Sequence, residues 1–417
     1  MEQLVLEGGH RLEGSLQIQG SKNSILPALA ASLLAKDVCV FAHCPRLRDV
    51  EASVHILRGL GARAKWEGED LIVDTSDVAG HTVPDELMRE MRSSIIFLGA
   101  IMARLGEAEL SYPGGCELGP RPIDLHLASL RTLRAEIAEK GGTLRCSGVL
   151  KAGEVTLSIP SVGATENTIL AACGAEGTTV IYNAAREPEI VDLQNLLNKM
   201  GARVQGAGSS IVTVEGKRPL HGCRYRCMGD RIAAATYLCA AAAVGGRVSI
   251  RGVDYRTVST VALSLTESGC RIESCGDEVI ISSSGQLHAV RPVRTGPYPG
   301  FPTDAQPVLM AGLLRSEGST VFVENIFENR YRQTDELARM GADIRVAGRV
   351  AVVNGVRELH GASVKCTDLR GGAALVTAGL QAEGITRISE LVHIDRGYVS
   401  IEKDLRDLGA EIRREVR

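Results

Sequence analysis

One pattern returns six times along this chain of 417 residues, and any fold proposed for it has to accommodate that repetition first. Each copy consists of an apolar helix rich in small residues, a turn, and a β-branched run. The turns are Ala35-Lys36, Leu105-Gly106, Glu176-Gly177, Gly245-Gly246, Glu317-Gly318 and Glu383-Gly384, and their second members are spaced by 70, 71, 69, 72 and 66 residues. A second mark in each copy is a helix that ends on a turn and leads into an alternating strand. It falls at Gly61, Arg134, Gly201, Gly269, Gly341 and Gly409, where glycine suits a left-handed C-terminal cap. Only the second copy, with Arg134, departs from glycine. Two helices and several strands per copy predict an α/β architecture. The spacing leaves open whether the six units stack in a line or close into two groups of three.

Composition narrows the function classes. A net charge of -3, no basic run and only 3% aromatic residues offer neither an electrostatic footprint nor a stacking platform for nucleic acid. The N-terminal residues lack the basic start and apolar stretch of a signal peptide, and no later segment approaches about eighteen uncharged apolar residues, so a cytoplasmic protein without membrane insertion is expected. Eleven cysteines without regular spacing fit a reducing compartment. Cys39/Cys44, His221/Cys223/Cys227 and Cys270/Cys275 lack the paired short spacings of a zinc site, and Gly371-Gly372 matches neither a Walker loop nor a dinucleotide fingerprint. No metal or cofactor is expected.

Counting back fourteen residues from each turn lands on Lys22, Arg92, Gly163, Ile232, Asp304 and Arg370, positions that begin helices. Ser161, Asp230 and Thr303 stand just before three of them as expected caps. Lys22, Arg92, Arg231 and Arg370 are less ordinary, because a cation at a helix N-terminus faces the positive end of the macrodipole. A bound anion would compensate, and helix N-termini with free N–H groups suit phosphate or carboxylate. The alternative is solvated surface charge.

A second unusual segment, Tyr112-Pro113-Gly114-Gly115-Cys116-Glu117-Leu118-Gly119-Pro120-Arg121-Pro122, packs three prolines, three glycines, a cysteine and an arginine between regular elements and predicts a mobile loop. The stripe Ile123, Leu127, Leu130 and Leu133 then predicts a helix, with Asp124 and His126 off the apolar side. Cys116 beside Arg121 is a candidate thiolate, although most free cysteines are structural.

Together, Gly20-Ser21-Lys22-Asn23, Pro113-Gly114-Gly115-Cys116 with Arg121-Pro122-Ile123-Asp124-Leu125-His126, and Ser161-Val162-Gly163-Ala164-Thr165 resemble signatures of the UDP-N-acetylglucosamine enolpyruvyl transferases of peptidoglycan synthesis. Asn183 to Ile190, Phe301-Pro302-Thr303-Asp304, Phe327-Glu328-Asn329-Arg330, Thr367 to Arg370 and His393 to Tyr398 carry the likeness into the last thirty residues. The resemblance implies an inside-out α/β barrel, with two domains of three repeats each around a cleft. An N-terminal domain would span 21–229, and a C-terminal one would combine 1–20 with 230–417.

The implied reaction moves the enolpyruvyl group of phosphoenolpyruvate to the 3-hydroxyl of UDP-N-acetylglucosamine, without metal or cofactor. Such a site needs an acid for the alkene carbon, a base for the sugar hydroxyl, and cations for phosphate and carboxylate. The resemblance makes Cys116 the acid or covalent partner and Asp304 the base candidate. Lys22, Arg121 and Arg396 would grip phosphoenolpyruvate, with Arg92, Arg330 and Arg370 nearby. Asn23, Pro122, Asp124, His126, Ser161, Val162, Gly163 and Ile326 would hold the UDP-sugar. For Arg330 and Asp368 an inter-domain ion pair is the competing expectation.

The sequence departs from the family pattern at Gly229, where proline is common, at Ala233, where glutamate is common, and at Arg332-Gln333, which replace a usual Met-His pair. The nearest rival is the shikimate-pathway enolpyruvyl transferase, whose pattern lacks the Pro-Gly-Gly-Cys loop. A non-catalytic UDP-sugar-binding paralogue is the rival from another class. The oligomeric state is left open.

Overall fold

The computed structural model describes residues 2–113 and 123–416. Cys116, Arg121 and Pro122 therefore lie outside the described residues. The rest divides into two compact units, one made of 20–113 with 123–228 and the other of 2–19 with 229–416. The chain passes between them at 19/20 and 228/229, one residue from the junctions expected at 20/21 and 229/230. Each unit has its own apolar core.

Six four-stranded sheets are described, three in each unit, all with one strand order. In the sheet around Thr178–Tyr182, this strand pairs in parallel with Glu154–Thr156 and antiparallel with Ile211–Glu215, which turns back from Arg203–Gln205. The parallel pair needs a crossover, and the helix Val162–Cys173 supplies it. Two sheets of the second unit are completed from the start of the chain. Glu2–Glu7 inserts between Ile385–Ser389 and Glu411–Val416, and Leu12–Gln17 lies beside Gly246–Arg251. The first unit closes similarly, with Arg224–Tyr225 pairing in parallel with Val38–Phe41.

The crossover helices are buried nearly all round: Ser24 to Ser32, Ala164 to Cys173, Arg231 to Ala243 and Arg370 to Gln381 are buried without a break. A helix this apolar on every face belongs inside a domain. Its small residues let neighbours approach closely. At Gly99 an added Cβ would stand 2.3 Å from the Asn167 carbonyl oxygen, and the Gly99 N–H donates to Asn167 Oδ1 at 2.6 Å. The helices at the end of each copy, such as Arg48–Gly59 and Pro188–Lys199, bury one side only.

All five expected cap glycines, Gly61, Gly201, Gly269, Gly341 and Gly409, have φ between 94° and 107°. Arg134, the exception in sequence, takes the same left-handed region at φ 71°. The chain keeps this turn even where it must force a side chain into a region that L-residues avoid. Gly229, the departure at the passage between units, has a packing reason: an added Cβ would lie 2.0 Å from the Gly252 carbonyl oxygen. Among the described residues no helix is long and apolar enough to cross a membrane.

Candidate active site

The helix starts counted from the sequence differ in detail from the observed ones. Lys22 opens Lys22–Ser32, and Gly163, Ile232 and Arg370 are the second residues of Val162–Cys173, Arg231–Val244 and Leu369–Gln381. Arg92 instead opens a short 3-10 turn, Arg92–Ile96, which runs on into Phe97–Leu105. Asp304 stands in a turn two residues before Gln306–Gly312. Of the expected caps, Ser161 accepts from Ala164 N and Asp230 from Ile232 N and Ala233 N. Thr303 does not cap; its hydroxyl donates to Glu324 Oε2 at 3.0 Å.

In the first unit the Arg92–Ile96 turn packs on both Lys22–Ser32 and Val162–Cys173, which gathers Lys22, Asn23, Arg92, Ser161, Val162 and Gly163 on neighbouring elements. Lys22 Nζ is 2.9 Å from Asp49 Oδ2, and that carboxylate is only 4% exposed. The cation at this helix start is therefore balanced by a carboxylate of the next helix. Asp49 escaped the sequence reading because an acidic residue in the first turn of Arg48–Gly59 looks like an ordinary dipole partner.

The mobile loop expected at 112–122 lies largely outside the described residues; the helix expected from the stripe forms as Asp124–Thr132, with Ile123, Leu127, Leu130 and Leu133 buried. Asp124 is exposed as expected, but His126 is not. It is buried against Gly163, and its Nδ1 meets Asn167 Nδ2 at 3.1 Å. Burial, and then the Arg92 charge, push the imidazole down to about 4 against an opposing pull from Asp124. The folded chain keeps His126 neutral down to about that pH, whereas the unfolded chain binds a proton below about 6.5. The unfolded state thus takes up more protons in between, and stability falls as the pH drops through this window. Urea unfolding at pH 7 and pH 5 checks it: the stability lost between the two should shrink by about 2 kcal/mol in His126→Phe. An unaltered loss in the variant would contradict the neutral assignment.

Behind these residues lie acids that periodicity did not single out. Glu166 is 2% exposed, and burial followed by the charges of Glu189 and Glu187 pushes its carboxyl well up. Asp192 accepts from Ser24, from the Tyr225 hydroxyl at 2.7 Å and from Met228 N at 3.2 Å, joining the first crossover helix to the end of the unit.

In the second unit Arg231–Val244, Gln306–Gly312 and Leu369–Gln381 pack on one another. Asp304, two residues before the second of them, meets Arg370 at the start of the third. Its Oδ1 accepts from Arg330 Nη2 at 2.8 Å and its Oδ2 from Arg370 Nη2 at 3.2 Å, one guanidinium for each oxygen. Arg330 is 1% exposed and donates twice more to the Thr303 carbonyl, at 3.1 and 2.9 Å, while its Nη1 is 3.9 Å from Asp368 Oδ1. The Phe327 ring lies 5.6 Å from its guanidinium. Arg330 and Asp368 belong to the same unit, so the expectation of an inter-domain pair is overturned. Asp368 itself caps Leu369–Gln381 through Arg370 N and Gly371 N.

Arg396 ends the short turn Ile394–Arg396, which is fastened where Arg414 grips Asp395 at 2.6 and 3.1 Å. Ile326 is 38% exposed and follows Glu324, whose Oε1 accepts its N–H at 2.7 Å. Gln333, one of the departures, is buried with neither amide atom hydrogen-bonded among the described residues.

Residues 6–405 match the EPSP synthase (3-phosphoshikimate 1-carboxyvinyltransferase) family. The chain is 49% identical over 413 residues to UDP-N-acetylglucosamine 1-carboxyvinyltransferase 2 of Caldanaerobacter subterraneus subsp. tengcongensis, with 99% of each chain covered. It is 48% identical to UDP-N-acetylglucosamine 1-carboxyvinyltransferase 1 of Symbiobacterium thermophilum, over 99% of this chain and 95% of that one. Among solved structures, the enolpyruvyl transferase NikO from Streptomyces tendae superposes with a TM-score of 0.88 at 25% identity, covering 100% and 99% of the two chains. An EPSP synthase from Acinetobacter baumannii, at 18% identity and a TM-score of 0.77 over the whole of both chains, shares the fold alone. Likeness at this level over almost every residue means that the chain belongs to the UDP-N-acetylglucosamine 1-carboxyvinyltransferases, within the wider EPSP synthase family.

Proposed function

We propose that this protein transfers the enolpyruvyl group of phosphoenolpyruvate to the 3-hydroxyl of UDP-N-acetylglucosamine and releases phosphate, the opening step of peptidoglycan precursor synthesis in the cytoplasm. The observation that carries the proposal is near-full-length identity of 44–49% to relatives bearing that activity in their names. The same reading gives each unit the inside-out α/β barrel of three roughly 70-residue copies, with domains at 21–229 and at 1–20 plus 230–417.

In the proposed chemistry Cys116 protonates the methylene carbon of phosphoenolpyruvate, so that the neighbouring carbon becomes electrophilic and the sugar hydroxyl adds to it. Loss of a proton from the new methyl group then expels phosphate and restores the alkene. Asp304 accepts the proton of the sugar hydroxyl. With a guanidinium on each oxygen its carboxylate is already aimed, and no reorientation is needed during the reaction. Lys22, Arg121, Arg370 and Arg396 bind the anionic groups of phosphoenolpyruvate, where arginine forks suit carboxylate and phosphate. Nε and Nη2 of Arg330 donate within the protein, which supports a role for it in holding Asp304. Asn23, Arg92, Pro122, Asp124, Ser161, Val162, Gly163 and Ile326 hold the UDP-sugar. His126, neutral and bonded to Asn167, supports the Gly163 turn from behind.

The test is a two-substrate assay. Phosphate release is expected only when phosphoenolpyruvate and UDP-N-acetylglucosamine are both present. A purified protein that binds the UDP-sugar and releases no phosphate would favour the non-catalytic paralogue, and release with a shikimate phosphate acceptor instead would favour the rival transferase.

A further inference from the structure

Asn167 is 1% exposed and joins three helices of the first unit. It stands on Val162–Cys173. Its Oδ1 accepts from the Gly99 N–H of Phe97–Leu105 at 2.6 Å, and its Nδ2 meets Nδ1 of His126, on Asp124–Thr132, at 3.1 Å. The close approach depends on the missing side chain at Gly99, where a Cβ would lie 2.4 Å from Asn167 Oδ1.

Counting protons fixes the direction of both bonds. A backbone N–H can only donate, so the Asn167 atom facing Gly99 is the carbonyl oxygen. The atom left for His126 is the amide nitrogen, which has only N–H groups to offer. Nδ1 therefore accepts through its lone pair and carries no proton. Burial disfavours the imidazolium, and the one proton of the neutral ring then sits on Nε2. The Cε1–Nε2 edge faces Gly163, the second residue of Val162–Cys173: a Cβ built on Gly163 would lie 3.3 Å from Cε1 and 3.5 Å from Nε2. An edge of C–H and N–H thus backs the start of that helix.

We propose that Asn167 is a positioning residue which, oriented by the Gly99 N–H, holds His126 as the Nε2–H tautomer and so keeps a donor edge against the start of Val162–Cys173, where the anionic sugar nucleotide binds. This rests on the reading of Ser161, Val162 and Gly163 as residues that hold the UDP-sugar. A lone pair on Nε2 would compete with an anion for the N–H groups of the helix start, and a proton there does not. Asn167 itself need not touch the substrate.

NMR of the full chain with isotopically labelled histidine nitrogens, at pH 7, reads the tautomer directly. The signal lost in His126→Phe should show an unprotonated Nδ1 and a protonated Nε2. A proton on His126 Nδ1 would overturn the proposal, and this readout holds whether or not the protein is a transferase. Asn167→Leu removes the amide at similar volume, and its KM for UDP-N-acetylglucosamine should rise about fivefold, the size of one neutral hydrogen bond, with kcat changed less than about twofold. In a His126→Phe background the same substitution should change KM less than about twofold, because its effect passes through the imidazole. A wild-type KM in folded Asn167→Leu, or an equal rise in both backgrounds, would defeat the positioning role. If Asn167→Leu does not fold, Asn167→Ala, which cannot overpack, takes its place in the same comparison. Absence of phosphate release from the wild type defeats the functional reading alone.

Discussion

Cys116→Ala is expected to lower kcat by about a thousandfold, within the range that a positioned general acid contributes, while the affinity for UDP-N-acetylglucosamine stays within a few-fold. The split follows from the assigned chemistry. The thiol supplies a proton to the alkene carbon and is not assigned to holding the sugar nucleotide, so its removal should act on the chemical step. Phosphate release measures the first quantity and calorimetric titration of the UDP-sugar the second. Fosfomycin, a small phosphonate epoxide, should alkylate the wild-type protein at Cys116 with loss of activity, and mass spectrometry should find Cys116→Ala unlabelled at that position. Wild-type turnover in the alanine variant would remove Cys116 from the reaction. The assignment rests on the Pro113-Gly114-Gly115-Cys116 resemblance, since the residue lies outside the described ones.

The largest stability effect is expected at Arg330. Its guanidinium is buried and donates to two oxygens of its own unit, the Thr303 carbonyl and Asp304 Oδ1, with Asp368 close by. Arg330→Ala leaves these acceptors without their cation, and breaking a buried pair by removing one partner costs about 3–5 kcal/mol. For a unit of this size that corresponds to a fall in Tm of about 10 °C. Guanidinium chloride unfolding of the full chain measures it, and a loss below about 1 kcal/mol would show that these contacts are not formed in solution. Arg330→Lys should fall between, because an ammonium keeps the charge but cannot reproduce the fork. Activity should fall in both variants, since Asp304 loses the partner on Oδ1.

The candidate site illustrates how function and fold share residues. In the first unit Lys22 is balanced by Asp49, and in the second Arg370 and Arg330 are balanced by Asp304. Lys22 and Arg370, cations at helix starts that a sequence can only note as a breach of the dipole rule, thus have carboxylate partners. In the proposed reaction an anionic substrate would meet cations that are already held in place, at helix N-termini that carry partial positive charge of their own.

What the sequence determined by itself is whatever acts within a turn or two of backbone. The small-residue runs became the buried helices, the β-branched runs became strands, and the glycine turns took the left-handed conformation, with Arg134 forced into it as well. Ser161 and Asp230 were legible as caps for the same reason, because a cap bonds to N–H groups two or three residues away. The tertiary structure decided which charges meet and which groups lose water. Asp304 and Arg370 are 66 residues apart, and the strand beginning at Glu2 pairs with one ending at Val416. His126 lies off the apolar stripe of its helix but is buried by a neighbouring element, and Thr303 has a capping residue's chemistry but finds Glu324 instead. A local signal fixes the direction of a backbone; the partner of a side chain depends on how distant elements pack, and spacing along the chain does not encode that distance.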